Sequence, residues 1–244
     1  MTSDPGDAII QKKREVMRRM MNQMKLLREA LETFPFWDQL SDSERDYLVQ
    51  NSRIETYQKG DYISHTKEEC KGPILVLSGR IRTYISSDEG REVTLYHLYK
   101  GDICALSASC LLNSIAFDVI IEAIEKTEVV VVPSAVFHSL QEKNPGLEIF
   151  LLRTANQRFS DVMWTMQQIL FMGADKRVAI YLWDEYTKTG ERTLMITHDE
   201  LARYIGSARE VVTRVLKYFS EEKIVTLSRG KIEIMDLERL KKLV

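Results

Sequence analysis

The segment "THDELARYIGSAREVVTRVLKYF", residues 197–219, constrains this chain more than any other. Thr197 with Glu200, and Ser207 with Glu210, both fit S/T-x-x-E, in which side chain and backbone cap each other at a helix start. Two short helices are therefore marked, with Gly206 at the turn between them. That is the layout of a helix-turn-helix. In the second helix Val212, Val215, Leu216 and Phe219 share one face and are expected to pack inward. Arg209, Glu210, Thr213, Arg214 and Lys217 fall on the opposite face. A solvated face is the ordinary reading of such charges, but position favours another. The arginines stand near the start of the second helix, where this motif touches bases, and one arginine can bond guanine O6 and N7 together. Glutamate can accept from a cytosine amine. Downstream, "KIVTLSRGKIEIM" reads as a hairpin turning at Arg229-Gly230, a wing beside the two helices.

The rest of the chain has two textures. Residues 8–33 read as a helix, with apolar positions at Ile10, Val16, Met20, Met24, Leu27 and Leu31 between charges. Ser41 and Glu44 make a capping box for the helix that follows. From about 53 to 135 the residues are β-branched and aromatic, in short runs such as "ILVLS" and "EVTLYHLY" broken by glycines. Lys59-Gly60-Asp61 and Lys100-Gly101-Asp102 repeat one turn. Many short strands imply an antiparallel roll or sandwich. From about 147 to 172 Leu152, Ala155, Phe159, Val162, Met166 and Ile169 step by three and four, which predicts a heptad seam and a dimer formed along it. Gly173 ends this run.

Composition is that of an ordinary globular chain, and it removes several function classes. No apolar run approaches the roughly 20 residues of a membrane span, and no signal peptide opens the sequence, so a cytoplasmic protein is expected. Three cysteines without framework spacing fit a reducing compartment. The net charge is −2, and residues 171–244 carry 14 basic against 12 acidic side chains. DNA binding must then come from local placement of residues and not from bulk charge. The four histidines show no metal spacing, and His65 and His97 are the only ones in the β-region. A cupin-like metalloenzyme, which needs clustered His and carboxylate ligands, is accordingly disfavoured.

The order of β-roll, long helix and "I-T-x-x-E-L-A-x-x-I-G-x-x-R-E-x-V-x-R-V-L" (Ile196 to Leu216) resembles the CRP/FNR family of bacterial transcription regulators. The resemblance runs from about Phe34 to the C-terminus. It implies an α+β chain with an N-terminal extension over 1–33 and a cyclic-nucleotide-binding-like β-roll of jelly-roll type over 34–144. A dimerisation helix over 145–172 and a winged helix-turn-helix over 173–244 would follow. It implies a homodimer on a near-palindromic double-stranded DNA site, with RNA polymerase as a partner and no enzymatic activity. Residue by residue, Arg209, Glu210 and Arg214 match the base-reading R-E-x-x-x-R of the catabolite-activator branch, so the half-site should resemble TGTGA. Thr197, Thr213 and Lys217 are the expected phosphate contacts. Ala208 departs from the pattern, standing where that branch carries a phosphate-contacting serine.

The β-region departs further. Cyclic-nucleotide binders of this family carry G-E-L and then R-S/T-A, because a cyclic phosphate needs an arginine and nearby donors. Here the first element is Ala105-Leu106-Ser107, and the second falls near Phe117-Asp118-Val119, without an arginine. The Thr-Ser pair that touches the base is replaced by Val162-Met163. Cyclic AMP is therefore not expected, and an unknown small effector or a redox or gas signal takes its place. "GDICALSASC" occupies the altered stretch. C-x₅-C without a second pair is no zinc site, and no cysteine precedes Cys70 to hold an N-terminal iron–sulfur group. Haem ligation by His97 or Cys104, a thiol switch at Cys104 and Cys110, and plain buried packing of both cysteines all remain open readings. Control by abundance alone fits the altered cassette equally well.

Overall fold

The computed structural model describes residues 5–64, 71–90, 92–104, 107 and 119–244. His65, Cys70, Ala105, Leu106, Cys110, Phe117 and Asp118 lie outside them. The chain forms two compact units, Met1–Ile81 with Leu98–Gln157 and Arg82–His97 with Arg158–Val244.

In the first unit, helix α1 (Pro5–Leu31) buries Leu27 and Leu31 of its last turns. These join Phe34, Phe36 and Trp37, helix α2 (Asp42–Asn51) and helix α3 (Ser134–Gln141) in one apolar core. Phe36 packs edge-on against Phe137 and Phe150 at centroid distances of 5.9 and 4.8 Å. The Ser41–Glu44 capping box starts α2, as its sequence predicts. One sheet has the order β1 (Arg53–Tyr57), β8 (Thr127–Val131), β3 (Ile74–Ser78), β6 (Ile103–Cys104). Its pairings are antiparallel, with Arg53 opposite Val131 and Ile74 opposite Cys104. β2 (Tyr62–Ser64) pairs antiparallel with β7 (Ile120–Ala123).

The repeated K-G-D turn is real. Gly60 and Gly101 sit at φ +90° and +89°, the left-handed region where a side chain is strained. Asp61 and Asp102 each accept a bond from the backbone N–H three residues earlier, at 2.7 and 2.9 Å. The first turn of helix α4 (Pro145–Phe171) is anchored in this unit through Leu147 and Leu151.

The second unit holds β4 (Ile81–Ser86) beside β5 (Glu92–Leu98), the later part of α4, helix α5 (Ala174–Thr189) and the C-terminal elements. Its core gathers Val178 and Leu182 of α5 with Leu201, Val212, Leu216, Phe219 and Ile232. A second, polar anchor lies under the hairpin of β4 and β5. Arg82, 1% exposed, donates from Nη1 to Glu92 at 2.6 Å and from Nε to the Thr94 hydroxyl at 2.8 Å. Thr94 donates in turn to the carbonyl of Arg203 at 3.3 Å. The guanidinium also lies 4.0 Å above the Tyr84 ring and 5.2 Å from that of Tyr204. A buried guanidinium cannot lose its proton, so charge pairing and aromatic faces are its means of compensation.

The heptad row read on α4 is unevenly exposed. Leu152, Phe159 and Met166 are exposed as predicted. Val162 and Ile169 are half-buried, and Met163 and Leu170 are exposed in their place. Ile169 turns toward its own chain, its Cδ1 coming within 3.3 Å of where a side chain on Gly206 would begin. Packing within the unit thus rotates the free stripe by one residue.

Candidate nucleic-acid interface

Thr197 builds the first helix, α6 (His198–Tyr204). Its hydroxyl accepts from Glu200 N–H at 3.1 Å, and Glu200 Oε2 accepts from Thr197 N–H at 2.9 Å. This is the capping box expected from T-x-x-E. Thr197→Ala should cost about 1 kcal/mol in urea unfolding, and Thr197→Ser should cost little.

The second box does not form. Ser207 N–H bonds the Ala202 carbonyl at 2.9 Å, and Gly206 takes φ +63°. Ser207 is thereby used to close α6 in a Schellman-type stop, with glycine in the left-handed position. Helix α7 (Arg209–Glu221) starts after Ala208, which makes no side-chain cap. Glu210 is freed from any capping role and stands exposed. A side chain at Gly206 would be strained by its positive φ and would press on Ile169, 3.3 Å from the place a Cβ would take.

Val212, Leu216 and Phe219 are buried as the periodicity predicts, and Val215 packs on them. Arg209, Glu210, Thr213, Arg214 and Lys217 are all exposed. Among the described residues, neither Arg209 nor Arg214 has a salt-bridge partner, while Lys217 approaches Glu221 at 4.0 Å. Beside this face lies the wing, β10 (Val225–Ser228) and β11 (Lys231–Ile234), joined at Arg229-Gly230 and paired with β9 (Thr193–Leu194). A cleft of about 670 Å³ separates wing from helices, lined by Thr197, His198, Asp199, Arg209, Ser228 and Arg229.

His198 was not among the residues singled out by sequence. Its Nδ1 lies 3.0 Å from the Thr213 hydroxyl, fifteen residues on. Burial, and then the charge of Arg209, hold its pKa below the ordinary histidine value. Only its place directly after a helix cap hinted at a position beside the second helix.

Of the residues named for an effector or redox signal, His97 and Cys104 are described. His97 is half-buried and packs edge-on against Tyr204 at 4.9 Å. Cys104, on β6, is fully buried and in no disulfide among the described residues. Ser107 is buried, its hydroxyl within 2.7 Å of the Gly72 carbonyl and 2.8 Å of that of Cys104. No three His, Cys, Asp or Glu side chains converge as a metal site among the described residues. Among those residues, no helix is long and apolar enough to cross a membrane.

Two helices joined by a tight glycine turn, a basic exposed second helix and a flanking hairpin define a winged helix-turn-helix DNA-binding regulator. Residues 176–243 match the Crp-like helix-turn-helix domain, and residues 54–144 match the cyclic nucleotide-binding domain. A solved structure from Eubacterium rectale, assigned to the Crp/Fnr family of transcriptional regulators, is 42% identical. The match covers 87% of this chain and 98% of that one, with a TM-score of 0.82. The protein belongs to the CRP/FNR family: it is a DNA-binding transcription regulator and not an enzyme. It is also 25% identical to the fumarate and nitrate reduction regulatory protein of Vibrio cholerae, over 84% of each chain. Identity to the cyclic AMP receptor protein of Thermus thermophilus is likewise 25%, over 86% of this chain and 96% of that one.

Proposed function

We propose that the protein acts as a homodimer that sets one α7 into the major groove of each half of a near-palindromic, TGTGA-like site. Arg209, Glu210 and Arg214 read base edges, and Thr197, Thr213 and Lys217 hold phosphates. The observation that carries this reading is the exposed face of α7, where both arginines lack a salt-bridge partner among the described residues. Glu210, released from capping, is free to accept from cytosine. RNA polymerase is the expected partner once DNA is bound. The test is a mobility-shift titration on a TGTGA palindrome against a scrambled duplex at fixed salt. Selective binding supports the reading, and equal binding to both overturns it.

Dimer formation is supported by the free stripe on α4. Phe159, Met163, Met166 and Leu170 are 46–66% exposed, and Ile149 and Leu152 are exposed on the same helix. Single exposed apolar residues are normal, but a row at heptad spacing supports a paired helix. Phe159→Glu with Leu170→Glu should raise the dimer dissociation constant at least about tenfold in sedimentation velocity. It should weaken binding to the full palindrome along with it.

The effector we propose is not cyclic AMP. The relatives named above include a cyclic AMP receptor and a fumarate and nitrate regulator at equal identity, so identity does not choose between effectors. The residues favour a different ligand. Val162 and Met163 offer no hydroxyl for a base edge, and Cys104 and His97 stand amid apolar and aromatic packing.

A further inference from the structure

Resting on the DNA-binding reading above, we infer that His198 is a phosphate-side residue of the interface. It takes up a proton when DNA enters the cleft and in doing so reverses its hydrogen bond with Thr213. The geometry carries this. His198 lies in the cleft between wing and helices, within hydrogen-bond reach of a hydroxyl on the exposed face of α7. A neutral imidazole can accept the Thr213 O–H at Nδ1. An imidazolium must donate there, because both its nitrogens carry hydrogens. The Thr213 hydroxyl, once it accepts from His198, is left with its own hydrogen free to donate outward. One proton taken from solvent therefore yields a cation and adds one donor, the O–H of Thr213, to the Nε2–H that the neutral ring already carries. That is the chemistry a phosphate diester takes.

The charges around the ring set the direction. The charged groups lining the cleft are Asp199 of α6, Arg209 of α7 and Arg229 of the wing. In the free protein burial, and then the charge of Arg209, disfavour the cation. A phosphate in the cleft offsets the Arg209 charge and favours the cation directly. The complex thus has the higher histidine pKa. Affinity must rise as pH falls through the pKa of the complex, and must level off below that of the free protein. Above the pKa of the complex the gain is absent.

The experiment measures affinity of the full chain for a TGTGA palindrome by fluorescence anisotropy from pH 8.0 to 5.5. Wild type, His198→Gln and His198→Arg are compared at several salt concentrations. As pH falls across this range the wild type should gain about three- to tenfold more affinity than His198→Gln. The salt slope of the wild type should steepen by about one per protomer over the same range. His198→Arg, charged throughout, should show the steep slope at every pH. Equal pH and salt profiles for wild type and His198→Gln overturn the proton uptake while leaving DNA recognition intact. A wild type that binds no duplex selectively at any pH overturns both readings together.

Discussion

Arg209→Ala is expected to weaken binding to a TGTGA palindrome by about 1–3 kcal/mol per half-site, roughly 5- to 150-fold for each protomer. Binding to an unrelated duplex should change far less. The physical reason is the kind of contact. A guanidinium bonded to guanine O6 and N7 carries sequence information, whereas a phosphate contact is the same at every sequence. Arg209 is exposed and lacks a salt-bridge partner among the described residues, so its loss leaves no protein group stranded and should not unfold α7. Lys217→Ala is the contrast. It should lower affinity for both duplexes alike and flatten the salt slope by about one per protomer. If Arg209→Ala behaves like Lys217→Ala, Arg209 is a phosphate contact and the assignment of base reading to it fails.

The second large effect is on stability. Glu92→Ala should cost about 3–5 kcal/mol and lower the melting midpoint by about 10 °C. Arg82 is almost wholly buried, and its carboxylate partner lies 2.6 Å away. Removing Glu92 takes the carboxylate from a charge that cannot be neutralised by proton loss, leaving Thr94 and the rings of Tyr84 and Tyr204 among its contacts. The double variant Arg82→Met, Glu92→Leu should recover most of the loss, because replacing a buried pair by apolar groups is often neutral. Arg82 also holds Thr94, which donates to the Arg203 carbonyl, so a guanidinium displaced by the loss of Glu92 should disturb that bond. Hydrogen exchange in α6 should therefore quicken more than in α7 in Glu92→Ala. A melting point within a degree or two of wild type would show that solvent reaches Arg82 and compensates its charge.

Legibility in the sequence followed the range of the interaction. The capping boxes at Ser41 and Thr197 join residues three apart, and both form as the letters indicate. The buried face of α7 follows from helical period alone, and so does the exposure of Arg209, Glu210 and Arg214 opposite it. The K-G-D turns hold because glycine and aspartate act within four residues. Failures begin where a second element competes. Ser207 fits a capping box, but the preceding helix takes its N–H first, through Ala202, and moves the start of α7 past it. Along the heptad row of α4, Leu152, Phe159 and Met166 are exposed while Val162 and Ile169 are half-buried, which the three-and-four spacing does not distinguish.

The sequence by itself determined the helix-turn-helix, its wing, the inward and outward faces of α7 and the family pattern. Each of these rests on local spacing and backbone preference. The tertiary structure alone decided that Arg82 is a buried cation tied to the end of α6, and that His198 meets Thr213 beside Arg209. Both depend on which residues distant in sequence share a low-dielectric site, and burial and charge pairing have no signature in the order of letters.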